Sequence, residues 1–155
     1  MRISLSGRKL VQGFSGLRIN AYRGRPGIWM IGYASIRWQN GILVKEGDRL
    51  ENQEEADRLF DYSIQSAERI VNSHIQVKLT QNQFDALVSL VYDIKGKLFN
   101  ESGIPDLINQ MDFREAIVQM EKFRDLSDCS NAAGTRTQYE LHKRRDREIE
   151  IFKMI

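Results

Sequence analysis

The sequence predicts an α+β domain, mainly helical, in two lobes: a small lobe carrying an antiparallel sheet and a larger helical lobe, joined by a long helix. Three observations lead there. Between Ala21 and Leu50 aromatic and β-branched residues dominate and glycines punctuate the chain, whereas beyond Leu50 apolar residues recur at helical spacing to the end. Four residues in that second part can cap a helix, Asn52, Thr80, Asp112 and Thr137, each followed three positions later by Glu or Gln. No repeat, low-complexity tract or Pro/Gly/Ser linker divides the 155 residues, so a single domain, 1–155, is expected.

Each element follows from local pattern. Ser6 to Asn20 carry Leu10, Val11, Phe14 and Leu17 at helical spacing, which predicts a short amphipathic helix with an interior weakened by Gly13 and Gly16. The small lobe is expected over about 15–52. Within it Asn40-Gly41 separates Ser35-Ile36-Arg37-Trp38 from Ile42-Leu43-Val44, and this pair readily adopts the two positive φ values of a tight hairpin turn. A linking helix over about 53–73 places Ala56, Leu59, Phe60, Ile64, Ala67, Ile70 and Val71 on one apolar stripe. At roughly 1.5 Å per residue it spans nearly 30 Å, enough to bridge two lobes. The helical lobe, about 74–155 with the N-terminal helix packed on it, takes in helices near Gln81–Tyr92, Ile104–Asn109, Phe113–Phe123 and Gln138–Lys153. Phe84, Leu87, Val88 and Val91 mark the first of these as central.

Composition narrows the function classes. With 41% hydrophobic and 28% charged residues the chain is globular, and Met1 to Asn20 hold no apolar run of signal-peptide or membrane-span length. It is therefore expected to be cytoplasmic when synthesised, with any delivery to the periplasm or cell wall by a route the chain does not encode. A single cysteine, Cys129, excludes an internal disulfide. A net charge of +2 provides no field for nucleic acid. The run His142-Lys143-Arg144-Arg145 is followed by Asp146, Arg147, Glu148 and Glu150, which reads as a charge-mixed solvated helix face. His74 and His142 lie far apart and no cysteine pair or acidic loop has ligand spacing, so no metal or cofactor is expected.

Several fragments, in order, carry a family likeness: Phe14-Ser15-Gly16-Leu17-Arg18, Ala21-Tyr22-Arg23, Gly27-Ile28-Trp29-Met30-Ile31-Gly32-Tyr33, and Leu79-Thr80-Gln81-Asn82-Gln83-Phe84-Asp85-Ala86-Leu87-Val88-Ser89. With Arg144-Arg145-Asp146-Arg147-Glu148 near the end, they resemble the phage-type (T4-like) lysozymes and endolysins over nearly the whole chain. The resemblance implies a lysozyme-like fold and a peptidoglycan muramidase ancestry. It also implies a catalytic glutamate, aspartate and threonine at positions that here hold Ser15, Gly24 and Met30. The family's Gly-Tyr-Gly-His run reads Gly32-Tyr33-Ala34-Ser35.

Glycoside hydrolysis needs a protonated carboxyl for the leaving oxygen and a carboxylate for water or the developing cation. A serine hydroxyl supplies neither at neutral pH, and Ser15 has no histidine near it to make it a nucleophile. Asp93 and Glu101, in the stretch after the second predicted helix, are the reserve candidates for a relocated acid. The expectation is thus a catalytically inactive lysozyme-like protein, a pseudoenzyme that binds a peptidoglycan-like glycan or a protein partner. Tyr22, Trp29, Tyr33, Trp38 and Arg18 are the expected lining of its ligand cleft. The alternatives are an active muramidase using Asp93 or Glu101, and a structural or interaction component of a phage or secretion/conjugation machine.

Overall fold

The computed structural model describes residues 1–24, 27–124 and 138–154. Its elements are α1 (Leu5–Ser15), β1 (Arg18–Arg23), β2 (Trp29–Gly32), α2 (Gln53–His74), α3 (Gln81–Glu101), α4 (Ile104–Asn109), α5 (Phe113–Lys122) and α6 (Gln138–Lys153). The architecture is mostly helical with a two-stranded antiparallel sheet. Among the described residues no helix is long and apolar enough to cross a membrane.

Helix α1 is shorter than its apolar spacing suggests. Ser4 caps it, its hydroxyl accepting from the Gly7 amide at 3.0 Å, and Asp85 of α3 holds Ser4 in turn through the Ser4 amide at 2.9 Å. At the other end Gly16 takes φ 66° and donates its N–H to Gln12, which stops the helix five residues short of Asn20. Leu17, counted in the predicted stripe, therefore lies outside the helix and is exposed.

The sheet pairs Tyr22 with Met30 and Arg23 with Trp29, with an irregularity between Arg18 and Tyr22. On the other side of β1, Asn20 bridges Arg49, and the Ala21 amide donates to Asp48 at 2.8 Å. The Asn40-Gly41 hairpin forms, but not with the expected turn. Trp38 N–H donates to Ile42 and Gly41 N–H to Trp38, so three residues, 39–41, make the loop. Only Gly41 of the pair is left-handed, at φ 83°, the arrangement of a type I turn closed by a left-handed glycine. Asn40 instead accepts the Ile42 amide on its side chain at 3.0 Å.

Helix α2 starts where the sequence places it. Asn52 accepts from the Glu55 amide at 3.0 Å, while the Glu55 carboxylate reaches past the cap to the Glu51 amide at 2.6 Å. Its stripe of Ala56, Leu59, Phe60, Ile64, Ala67 and Val71 is buried as expected, with Ile70 half-buried. Phe60 lies at its centre, 5.5 Å from the Tyr33 ring and 5.7 Å from Tyr92, with the Arg8 guanidinium 5.1 Å from its centroid. Burying such a ring contributes about 1.5–3 kcal/mol.

Helix α3 is the central element, packing against α1, α2 and α6. Thr80 and Gln83 close a full capping box, with bonds of 3.0 and 3.2 Å, and every residue from Phe84 to Tyr92 is buried. It also continues past the predicted end at Tyr92, through a break at Lys95, where φ 70° and ψ 158° are non-helical, and on to Glu101. Asp112 caps α5 through the Glu115 amide at 3.1 Å. The Thr137 cap, Cys129 and Arg25 lie outside the described residues.

Lys95 sits in a region of φ/ψ that is essentially reserved for glycine and costs about 1–3 kcal/mol elsewhere. Its ammonium stacks 4.9 Å from the Tyr92 ring and donates to the Tyr92 carbonyl at 2.6 Å. Both Lys95→Gly and Lys95→Ala lose those contacts, but only glycine releases the backbone. In urea unfolding Lys95→Gly is expected to exceed Lys95→Ala in stability by about 1–3 kcal/mol, the reverse of the usual helix order. Equal stabilities would show that the position is not strained.

Candidate functional site

The end of α1 and the middle of α3 meet α6 at Arg144, while β2 packs on α2. Ser15, the last residue of α1, is 8% exposed, and its hydroxyl is buried without a hydrogen-bond partner among the described residues. Its neighbour Phe14 lies under the Arg144 guanidinium, 5.5 Å from centroid to carbon. Gly24 is buried at the end of β1, its amide donating to Ile28 at 3.1 Å. Met30 on β2 is buried opposite Tyr22. The three positions expected to hold acid, carboxylate and hydroxyl thus present a hydroxyl, a hydrogen and a thioether.

The strongest electrostatic feature was not expected. Arg144, Arg145 and Glu148 are 2%, 1% and 0% exposed, so these three members of the charged run turn into the protein, while Lys143, Asp146, Arg147 and Glu150 stay exposed as expected. Arg144 donates to Glu148 at 3.0 Å and to the Ser89 carbonyl at 3.0 Å, and Ser89 donates its hydroxyl to Glu148 at 2.5 Å. Arg145 bonds Glu148 and reaches Asp93 at 2.8 Å, while Arg144 lies 3.6 Å from the same carboxylate. Two cations and two anions therefore neutralise each other across the α3–α6 contact. The i,i+3 and i,i+4 spacing of Glu148 from the two arginines was visible in the sequence, but that spacing is shared by any exposed helix.

This cluster decides what Asp93 can do. Burial alone would push its carboxyl up, but the charges of Arg144 and Arg145, then Lys95, together with the Arg145 hydrogen bond, hold it below the ordinary value of 3.8. A general acid must be protonated near neutral pH, and Asp93 is held as a carboxylate. Glu101 is exposed at the far end of α3, eight positions on. The break at Lys95 lies between the two, so Glu101 belongs to the segment beyond the bend and not to the turn that holds Asp93.

The aromatic candidates separate into groups. Arg18 and Tyr22 share a face of β1, with the guanidinium 5.1 Å from the ring centroid. Trp29 is half-buried at the start of β2, beside Arg23 across the sheet. Tyr33 is buried against Phe60, its carbonyl accepting the Tyr92 hydroxyl, and burial followed by the Asp57 charge raises its phenol above the ordinary range. Ser35, where the family run has histidine, pairs with Ser63 of α2 through hydroxyls 2.9 Å apart. Trp38 does not join Tyr33: its indole N–H donates to Asp48 at 2.9 Å, and it lies beside Glu55, Arg58 and Leu59.

A helical body with a small antiparallel sheet, its last helix locked under the end of the first, defines the class of wall-hydrolase folds built like phage lysozymes. The chain belongs to the phage lysozyme family, whose model matches residues 12–148. It is similar to an endolysin of Acyrthosiphon pisum secondary endosymbiont phage 1, 33% identical over 154 residues and covering 99% of both chains. Among solved structures it resembles the muramidase domain of SpmX from Asticaccaulis excentricus, at 31% identity and TM-score 0.79 over 99% of each chain. An endolysin from Escherichia coli O157:H7 phage FAHEc1 superposes with TM-score 0.80 at 29% identity, over 99% of this chain and 94% of that one.

Removing the Asp93 charge tests the cluster. Asp93→Asn leaves two buried guanidiniums to one carboxylate and is expected to cost about 3 kcal/mol at pH 7. Because the folded carboxyl titrates below 3.8, the unfolded chain takes up the proton first; the wild-type contribution is whole above about pH 4 and is lost as pH falls through the folded value. Denaturant midpoints measured from pH 7 to pH 2 should therefore fall less steeply below pH 4 in Asp93→Asn than in wild type. Parallel profiles would mean that Asp93 is not paired.

Proposed function

We propose that this member of the phage lysozyme family is a pseudoenzyme that engages a peptidoglycan-like glycan, or a protein bearing similar groups, without cleaving it. The observation that carries this reading is Ser15. At the end of α1 a hydroxyl occupies the place where the resemblance calls for the acid, and among the described residues that hydroxyl has no partner to pass a proton to or from. Asp93, the nearest reserve in the sequence, is tied to Arg144 and Arg145 as an anion.

Binding chemistry is kept on the sheet. Tyr22 and Arg18 offer an aromatic ring with a cation stacked on it, suited to a sugar face and to the carboxylates of a wall peptide. Trp29, which pairs with Arg23, is half-buried on the other face of the sheet and is not part of this surface. A glycan held there meets a site without a proton donor, so the bond to the leaving oxygen stays intact. Losing general acid assistance alone removes about 10²–10⁴ in rate, and losing charge stabilisation removes a comparable factor.

A second reading, an active muramidase, is favoured by the relatives: the 33% identical phage protein is an endolysin and the 31% identical structure is a muramidase domain. The two readings part on one assay. Purified protein on bacterial sacculi is expected to release soluble fragments at least about 10⁴-fold more slowly than an endolysin control, while calorimetry with muropeptides gives saturable heat. Ser15→Glu combined with Gly24→Asp and Met30→Thr is expected to raise the rate. Clearing at the control rate would overturn the proposal, and its loss in Asp93→Asn or Glu101→Gln would then identify the acid.

A further inference from the structure

The 36–44 hairpin leans on the first two turns of α2 and encloses with it a pocket of about 330 Å³, lined by Trp38, Gln39, Asn40, Glu55, Arg58 and Leu59. Neither Ser15 nor Tyr22 lines this pocket. At about 100° per residue, Glu55 and Arg58 project from the opposite side of α2 to Gln53, Asp57 and Phe60, and Leu59 lies at the edge of the buried stripe between them. Phe60 is the residue that meets Tyr33 and Tyr92, on the side of α3 and its ionic cluster. Between the two sides the chain crosses over α2, touching it at Ser63 through Ser35.

We infer that this pocket is a second saccharide site, taking a single neutral sugar unit that bears hydroxyl or acetamido groups. Trp38 supplies the stacking surface. Its N–H edge is committed to Asp48, which also accepts the Lys45 amide at 3.0 Å, so the ring is held in place and offers a ligand its apolar area. Leu59, 2% exposed, contributes an apolar wall.

The polar lining sets the class of ligand. Gln39 and Asn40 carry amides, each with donors and an acceptor; Arg58 adds donors and Glu55 an acceptor. The Arg58 guanidinium is already paired with Glu54 at 2.9 Å, so an anion gains little from it, whereas a polyol uses the remaining donors and acceptors together. The volume lies at the lower end of the roughly 300–1,000 Å³ range of small-molecule sites, which suits one ring rather than a chain.

The loop is already ordered. Gln39 donates to the Arg58 carbonyl at 3.2 Å, Arg37 to the Gly41 carbonyl at 2.8 Å, and Asn40 accepts the Ile42 amide at 3.0 Å. A ligand therefore meets a preformed wall and immobilises little on binding. Together with a glycan in the crevice, such a site would give a polymer two points of attachment on opposite sides of α2. The inference does not depend on whether the crevice cleaves.

The test uses the full chain labelled with ¹⁵N, titrated with N-acetylglucosamine and, separately, with glucuronate as an anionic probe. Saturable shifts of the Trp38 indole and Gln39 amide signals with a Kd of about 1–10 mM are expected for N-acetylglucosamine and weaker ones for glucuronate. Arg58→Ala should weaken binding about fivefold or more and Trp38→Ala abolish the Gln39 shift, while Tyr22→Ala leaves both signals responding. Should Trp38→Ala fail to fold, Gln39→Ala at the loop surface replaces it, with the same expected weakening. Unmoved signals up to about 50 mM sugar, tighter binding of glucuronate, or loss of the response in Tyr22→Ala with Arg58→Ala unaffected would overturn the inference. The last outcome would leave the crevice reading standing.

Discussion

The buried cluster of Arg144, Arg145, Glu148 and Asp93 is the constraint around which the rest of the structure is arranged. An ion taken out of water needs an opposite charge and hydrogen bonds, and here Asp93 finds its cations across the α3–α6 contact while Glu148 finds them on its own helix and accepts from Ser89 across it. Replacing such a group by an apolar core would not weaken a protein by much; removing one member would. What the cluster provides is register. Glu148 meets Ser89, and both arginines meet Asp93, at only one alignment of α6 along α3, which also sets Arg144 over Phe14 at the end of α1.

That alignment governs the chemistry left in the crevice. Acids that drift close to two guanidiniums are held ionised, so a carboxylate on this stretch of α3 balances charge and does not donate protons. The only hydroxyl at the expected acid position is Ser15, packed away without a partner among the described residues. Aromatic and cationic surface remains on β1, where Arg18 stacks on Tyr22. Recognition and bond cleavage have separate requirements, and this molecule keeps the first set of groups while lacking the side chains for the second.

The path from Tyr33 to Trp38 shows how a short segment distributes its aromatics. Six residues that look like one cleft lining in the sequence wrap across α2, so Tyr33 packs on Phe60 and Trp38 reaches Glu55 and Arg58 on the far side. The break at Lys95 similarly lets α3 bend and continue where a straight helix would have ended. Both features arise from packing against α2 and α3, and neither has a local pattern that announces it.

By itself the sequence determined what depends on near neighbours. Asn52, Thr80 and Asp112 cap the helices they precede because a side-chain oxygen three residues from an exposed amide is within reach in any context. The apolar stripe of α2 and the Phe84–Val91 core of α3 follow from helical period, and the family likeness from residues in order. The length of α1, the three-residue loop at Gly41, the side of α2 on which Trp38 falls, and the burial of Arg144 and Arg145 were decided by the tertiary structure. The physical reason is distance along the chain: Arg144 and Ser89 are 55 residues apart, and whether a charge is solvated or buried is settled only when α6 docks on α3.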